Sequence, residues 1–378
     1  MSPKPLASIE ACFGALEDPR VTGRCSYPLI EIMTIAICGV IAGAETWTDI
    51  ETFGESKVEW LKGLLTLEHG IPSHDTFGDV FSALDGESFE RSFIQWVEAV
   101  FKITKGQVVS IDGKTARRSH DQAIGKDAIH MVSAWATANG ISLGQRKVDD
   151  KSNEITAIPA LLELLNISGC LVTIDAMGCQ KKIAQTIRDG KADYLLAVKA
   201  NQEHLHQDIQ DWFAYADQVT FKDITHDYAK AVSKGHGRLE IRECWVIADP
   251  IAFEYIRHFE GWVDLNAIVR VRRERRFNGK VEHNIAYYIT SSSATAKIIL
   301  TATRHHWAIE NSLHWVLDVI FGDDLMRIRS GNSSQNMVIL RHIALNILKK
   351  DPSKKSLKQK RYQAALDDNF LLHLLQLI

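Results

Sequence analysis

Two short strings in this sequence end the same way: VVSI at 108–111 runs into Asp112, and LVTI at 171–174 runs into Asp175. Four apolar or small residues before an acid read as a buried strand that delivers a carboxylate to its end. Alone, such an aspartate is ordinarily a turn or capping residue. Two of them on adjacent strands would repel and raise a pKa, unless a hard cation such as Mg²⁺ or Mn²⁺ takes their oxygens as ligands. A third acid, Glu310, lies within TRHHWAIENSLHWVLDVIFGDD at 303–324. At helical spacing Trp307, Glu310, His314 and Leu317 share a face, so Glu310 is expected among aromatic bulk, where an acid is paired or binds metal. An i,i+4 partnership with His306 or His314 accounts for it equally well, and Asp318, one turn beyond His314, competes for the ligand role.

These acids meet only if the elements around them are arranged to bring them together. VVSIDG (108–113), HMVSAWAT (130–137) and ISLGQRKV (141–148) read as an antiparallel meander, its last two strands joined at Asn139-Gly140. Next come a helix at 155–166, a buried strand at 170–177, a helix at 181–190 ending in glycine, and another buried strand at 193–200. That alternation gives parallel strands with helical crossovers. The sum is an α/β fold: a mixed five-stranded sheet with helices on both faces, in the strand order of a ribonuclease H-like core, with the first and fourth strands as neighbours.

Residues 1–100 read as a helical N-terminal domain whose helix-turn-helix-like rhythm would suit DNA docking, with Pro72 and Ser73 opening a helix at His74. The sheet core spans 105–216. A β-rich block at 217–292, with a hairpin turned at Asn278-Gly279, looks inserted before C-terminal helices at 293–378 that complete the core.

A chain of 378 residues supports one large core or two to three domains. Its 46% hydrophobic and 24% charged content excludes disorder and fibre. Six scattered cysteines without a CxxC pair point to reduced thiols and a cytoplasmic protein. The N-terminus has no signal-peptide pattern, and the apolar window at 32–44 is too short to cross a bilayer, so no membrane role is expected. A net charge of −3 weighs mildly against nucleic-acid binding. Basic residues nonetheless cluster in RVRRERR (270–276) and KKDPSKKSLKQKR (349–361), runs that track a phosphate backbone or form a solvated face. In SKGHGRLEIRE (233–243), His236, Arg238, Glu240 and Arg242 surround two glycines. This reads as a loop that lets phosphate approach the backbone, or as a hairpin with a salt-bridged face. Trp245, Trp262 and Trp315 are base-stacking candidates or core.

Taken in order and at their separations, SIDGKTARRS, TIDAMGCQKKIAQTIRDGKADYLLAVKANQ, GHGRLEIRE and RHHWAIENSLHWVLDVIFGDD resemble the transposases of the H-repeat-associated family, within the DDE group of insertion-sequence transposases. The similarity covers nearly the whole chain. It implies a ribonuclease H-like catalytic core, two Mg²⁺ or Mn²⁺ ions, and DNA cleavage and strand transfer at terminal inverted repeats. The family's two aspartates fall on Asp112 and Asp175, and its glutamate on Glu310. The implied partners are double-stranded DNA, as element ends and target, and a second copy of the chain on that DNA. Lys114, Arg117, Arg118 and Lys199 are placed to meet phosphate oxygens, as are His236, Arg238 and Arg304; each also reads as a plain surface base. The chain departs from the broader group at Thr303, His306 and Leu317, where many relatives carry tyrosine, arginine and lysine, and Arg304 is the nearest stand-in for the arginine. A nuclease that cuts without joining, and a non-catalytic DNA-binding remnant, are the competing readings.

Overall fold

The computed structural model describes residues 6–21, 23, 25–102, 106–116, 128–148, 153–235 and 237–378. One sheet is built from β1 (Val108–Thr115), β2 (His130–Ala136), β3 (Ile141–Lys147), β4 (Leu171–Ile174), β5 (Asp193–Val198), β6 (His226–Gly235), β7 (Arg238–Ile247), β8 (Ala267–Phe277) and β9 (Lys280–Thr290). Their order across it is β3-β2-β1-β4-β5-β9-β8-β7-β6. β1, β2 and β3 form an antiparallel meander, while β1, β4 and β5 run parallel. Helices Glu154–Leu164 and Lys181–Asp189 precede and follow β4. The turn chemistry is as the residue types require: Asn278 and Gly279 both take left-handed φ values, +48° and +73°, between β8 and β9, the geometry of a two-residue hairpin turn.

The β-rich block departs from expectation. It is not set apart from the five core strands but continues the same sheet, because β5 would otherwise end in a row of unpaired backbone groups. β9 covers that edge in antiparallel register, from Leu195 opposite Thr290 to Val198 opposite Tyr287. Nor is β6 legible as a strand: HDYAKAVSKG is exposed along nearly its whole length, so no buried face imposes a period of two.

Helix Ser333–Lys350 is buried for almost its full length. It packs on helix Leu29–Ala42, itself nearly all buried, on helices His74–Ala83 and Gly86–Val100, and on β3. Polar stitches fix its register. Asn336 donates to the carbonyls of Phe81 and Leu84 at 2.7 and 2.9 Å. Asn346 accepts from the Ser142 N–H at 2.9 Å and donates to the Ser142 carbonyl at 2.8 Å, satisfying part of the sheet's outer edge. One apolar cluster thus runs from the N-terminal helices through the sheet to the last helices. Ser73 caps helix His74–Ala83 by accepting from the Thr76 N–H, as its position after Pro72 leads one to expect. Among the described residues no single helix is long and apolar enough to cross a membrane, and all six cysteines are free.

Candidate active site

The parallel pairing of β1 with β4 ends at Ile111 opposite Ile174. Asp112 and Asp175 occupy the next step on each chain, which brings both carboxylates to the same edge of the sheet. Asp112 remains in β1, opposite Ser133 of β2. Asp175 leaves the sheet, and its Oδ1 accepts the N–H groups of Met177 and Gly178 at 3.0 and 3.3 Å. Asp175 therefore takes the turn role, which fixes where its carboxylate points, and its charge is felt at Asp112. A Cβ on Gly178 would lie 2.2 Å from the Ile174 side chain, so this corner has room only for glycine.

Helix Ala296–His306 carries the chain toward the third acid. Glu310–His314 is then wound as a π-helical turn, a distortion common at functional sites. It sets Glu310 and His314 on one face. Glu310 is more open than its aromatic neighbours predict, with a side chain 53% exposed. His314 is the buried member, only 5% exposed. Its Nδ1 stands 3.6 Å from Asp112 Oδ2 and 3.7 Å from Glu310 Oε2, and its Nε2 has no hydrogen-bond partner. One donor atom from each of Asp112, Glu310 and His314 lies within 4.8 Å of the others.

The electrostatics follow from this crowding. Burial first, then the charges of Glu310 and Asp175, push the Asp112 carboxyl up to about 8. Burial pushes the His314 imidazole down to about 4, and it also lowers His306, whose Nδ1 lies 3.2 Å from Thr173 Oγ1. A raised carboxyl stabilises the fold at low pH and loses that stabilisation as pH rises toward its folded value. A depressed histidine acts oppositely, between its folded value and the ordinary one near 6.5. The two effects offset one another up to about pH 6.5, and above it the Asp112 effect remains. The Asp112 share of the loss in cation-free protein is expected to be about 2 kcal/mol or less between roughly pH 6.5 and 8, at 1.4 kcal/mol per unit for one proton, and Glu90, whose carboxyl burial likewise pushes up to about 8, steepens the same slope. Urea unfolding in chelator measures this, and an Asp112→Asn variant with the same slope would remove Asp112 as its source.

Behind the site a buried network ties three distant segments together. Lys114, two residues after Asp112 and so on the same face of β1, places Nζ 2.6 Å from Asp318 Oδ1 and 2.5 Å from Asp323 Oδ2. Asp323 also receives Arg341 Nη1 at 2.5 Å, and the two cations hold its carboxyl down to about 2 despite full burial. Lys114, expected to meet phosphate, is thus held between two carboxylates, and Asp318, weighed above as a competing ligand, is one of them.

The remaining predicted positions are scattered. Lys199 is exposed after β5, Arg238 is exposed at the start of β7, and Arg304 is exposed in the last turn of its helix. Arg117, Arg118 and His236 lie outside the described residues. Trp262 is core, whereas Trp307 and Trp315 are 61% and 53% exposed. The sequence reading named Arg242, Arg304 and the RVRRERR run separately but not as one group. Arg242 on β7 lies opposite Arg273 on β8, and Arg273 opposite Asn284 on β9. With Arg304, Trp307 and Tyr288 they line a pocket of about 140 Å³. Of these arginines, Arg242 is ion-paired, to Glu240 at 2.7 Å. Burial lowers the Arg242 pKa, and the charges of Arg304 and Arg273 lower it further. Strand alternation in RVRRERR held the signal, since Arg273 shares the face of Val269 and Val271, which pack with helix Ala296–His306.

A model described as the transposase DDE domain matches residues 103–347, and one described as DDE_Tnp_1-associated matches residues 10–97. The chain is 41% identical over 360 residues to "Putative transposase YncI" of Escherichia coli O157:H7, covering 94% of this chain and 91% of that one. It is 40% identical over 368 residues to "H repeat-associated putative transposase YhhI" of Escherichia coli strain K12, covering 95% of each. Among solved structures, the piggyBac transposase synaptic complex with hairpin DNA aligns at a TM-score of 0.40 and 10% identity, over 96% of this chain and 76% of that one. The chain belongs to the transposase DDE domain family, alongside the H repeat-associated transposases.

Proposed function

We propose that the protein is a transposase that cleaves DNA at the ends of a mobile element and joins those ends to a target, using Asp112, Asp175 and Glu310 as its carboxylate set. The observation that supports this reading is the register of β1 and β4, whose last pair, Ile111 and Ile174, is followed on each strand by an aspartate, with the charges of Glu310 and Asp175 both acting on Asp112. The antiparallel meander followed by two parallel strands, ordered β3-β2-β1-β4-β5, supports assignment to the ribonuclease H-like class.

The donor set fits divalent cations. Crowded carboxylates that force a proton onto Asp112 are the ligands a hard cation takes. Asp112, Asp175 and Glu310 would hold them, and the bound cations would supply charge neutralisation at phosphorus and an activated water or 3′-hydroxyl at neutral pH. The chain's own groups do the positioning. The backbone N–H groups of Met177 and Gly178 orient Asp175, while the Lys114–Asp323–Arg341 network anchors β1 and the segment after Glu310 to the core. The test is an assay of strand cleavage and 3′-end joining on DNA bearing the element's terminal repeats, with Mg²⁺ or Mn²⁺. Cutting without joining would make the protein a nuclease.

Arg242, Arg273 and Arg304 are suited to a backbone phosphate beside the scissile bond. Like charges placed opposite one another across strands are costly, and a bound anion removes the cost. Arg304 lies six residues before Glu310, about 9 Å along a helix, roughly the reach of a neighbouring phosphate. Arg273→Ala and Arg304→Ala are each expected to weaken DNA binding and to lower the slope of log affinity against log salt by about 1. Fluorescence anisotropy in a salt series checks this, and an unchanged slope in both would take the DNA strand elsewhere.

A further inference from the structure

We propose that His314 is a nitrogen donor in the cation site and makes that site prefer transition ions of the Mn²⁺ type over Mg²⁺; this rests on the metal-dependent reading above. Three observations converge on it. The imidazole is buried to 5% exposure, yet its Nε2 has no hydrogen-bond partner. Its Nδ1 faces Asp112 and Glu310 at 3.6 and 3.7 Å, too far for a hydrogen bond and within the spacing of two donors that share one cation, each about 2.0–2.6 Å from it. The π-helical turn that begins at Glu310 ends at His314, so one local distortion presents both donors together.

An ordinary helical Glu–His pair does not look like this. Such pairs lie on a solvent-exposed surface and stabilise by a few tenths of a kcal/mol, which does not repay burying an imidazole without a hydrogen bond. The nearby cation, Lys114, is occupied by Asp318 and Asp323, so His314 faces carboxylates that nothing else in the described residues neutralises. Mg²⁺ keeps to oxygen donors and its own waters. Imidazole suits later divalent ions, and a mixed nitrogen and oxygen set shifts preference toward them.

The test uses the full chain without DNA and reads binding directly. Mn²⁺ and Mg²⁺ are titrated by calorimetry, and bound Mn²⁺ is examined by pulsed electron paramagnetic resonance for the modulation of a coordinated imidazole nitrogen. Wild type is expected to bind Mn²⁺ at least about tenfold tighter than Mg²⁺ and to show the nitrogen signal. His314→Ala and the volume-preserving His314→Gln are expected to lose the signal and about tenfold in Mn²⁺ affinity, with Mg²⁺ affinity held within about twofold. Circular dichroism melting of each variant reports its fold, and the glutamine variant serves if the alanine variant unfolds. A nitrogen signal that persists in His314→Gln, or a ratio of Mn²⁺ to Mg²⁺ affinity that does not change, overturns the proposal. Asp112→Asn separates the two levels. If it abolishes Mn²⁺ binding while the His314 variants do not alter it, only the imidazole assignment fails; if it too leaves Mn²⁺ binding intact, the metal reading of the site fails with it.

Discussion

Asp112→Asn, Asp175→Asn and Glu310→Gln are each expected to lower DNA cleavage and joining by about 10³-fold or more, with the fold intact. The size follows from what the carboxylates are asked to hold. Metal-assisted charge stabilisation at phosphorus is worth several kcal/mol, and each 1.36 kcal/mol is a factor of ten in rate. The retained fold follows from local structure. An asparagine at 175 keeps an oxygen for the N–H groups of Met177 and Gly178. Glu310 is 53% exposed, so little packing rests on it. At 112 the substitution replaces a carboxyl whose ionisation burial and two neighbouring acids already oppose, so cation-free Asp112→Asn should melt at or above the wild-type temperature. Single-turnover cleavage of labelled terminal-repeat DNA, beside a melting curve for each variant, reads both. Full cleavage by Asp112→Asn would sink the site assignment.

Asp323→Ala is expected to destabilise the protein by about 3–5 kcal/mol, the usual cost of stripping a buried charge of its partner. Asp323 is 2% exposed and Arg341 1% exposed, and Lys114 is held from the other side at 2.5 Å. Removing the shared carboxylate leaves Arg341 buried with no counter-charge and Lys114 with only Asp318. The triple variant Lys114→Met, Asp323→Leu, Arg341→Met should recover much of that loss, because a buried ionic set replaced whole by apolar side chains is often neutral. Urea midpoints for the single and triple variants decide it. A loss under about 1 kcal/mol in Asp323→Ala would mean that water reaches the network and screens it.

The parts of this fold that the sequence announces are those set by near neighbours. Asn278-Gly279 takes the left-handed turn its residue types favour. Four-residue apolar runs become β1 and β4, and the order of elements makes those strands neighbours, which is why Asp112 and Asp175 were legible as a pair. What stayed hidden depends on partners far along the chain. Lys114 reads as a surface base until Asp323, 209 residues away, supplies its carboxylate. Periodicity within RVRRERR assigns faces but not the strand across the ladder, so the opposition of Arg242 and Arg273 was out of reach. His314 was visible as a helical neighbour of Glu310, but its burial was not, because burial depends on segments far along the chain, among them β1, whose Asp112 comes within 3.6 Å of the imidazole.

Helix Ser333–Lys350 also bears on how the protein is made. The N-terminal helices it packs against, Leu29–Ala42 among them, leave the ribosome long before it does. Synthesis at about 5–20 residues per second therefore leaves an apolar groove on the nascent chain waiting for its filler, a natural client for a holding chaperone. Glu310 and Asp323 emerge in the same late window. A chain stalled before that point has neither a closed interior nor the third acid of the proposed site, so the proposed chemistry would be withheld from a half-made molecule by the same delay that leaves it sticky.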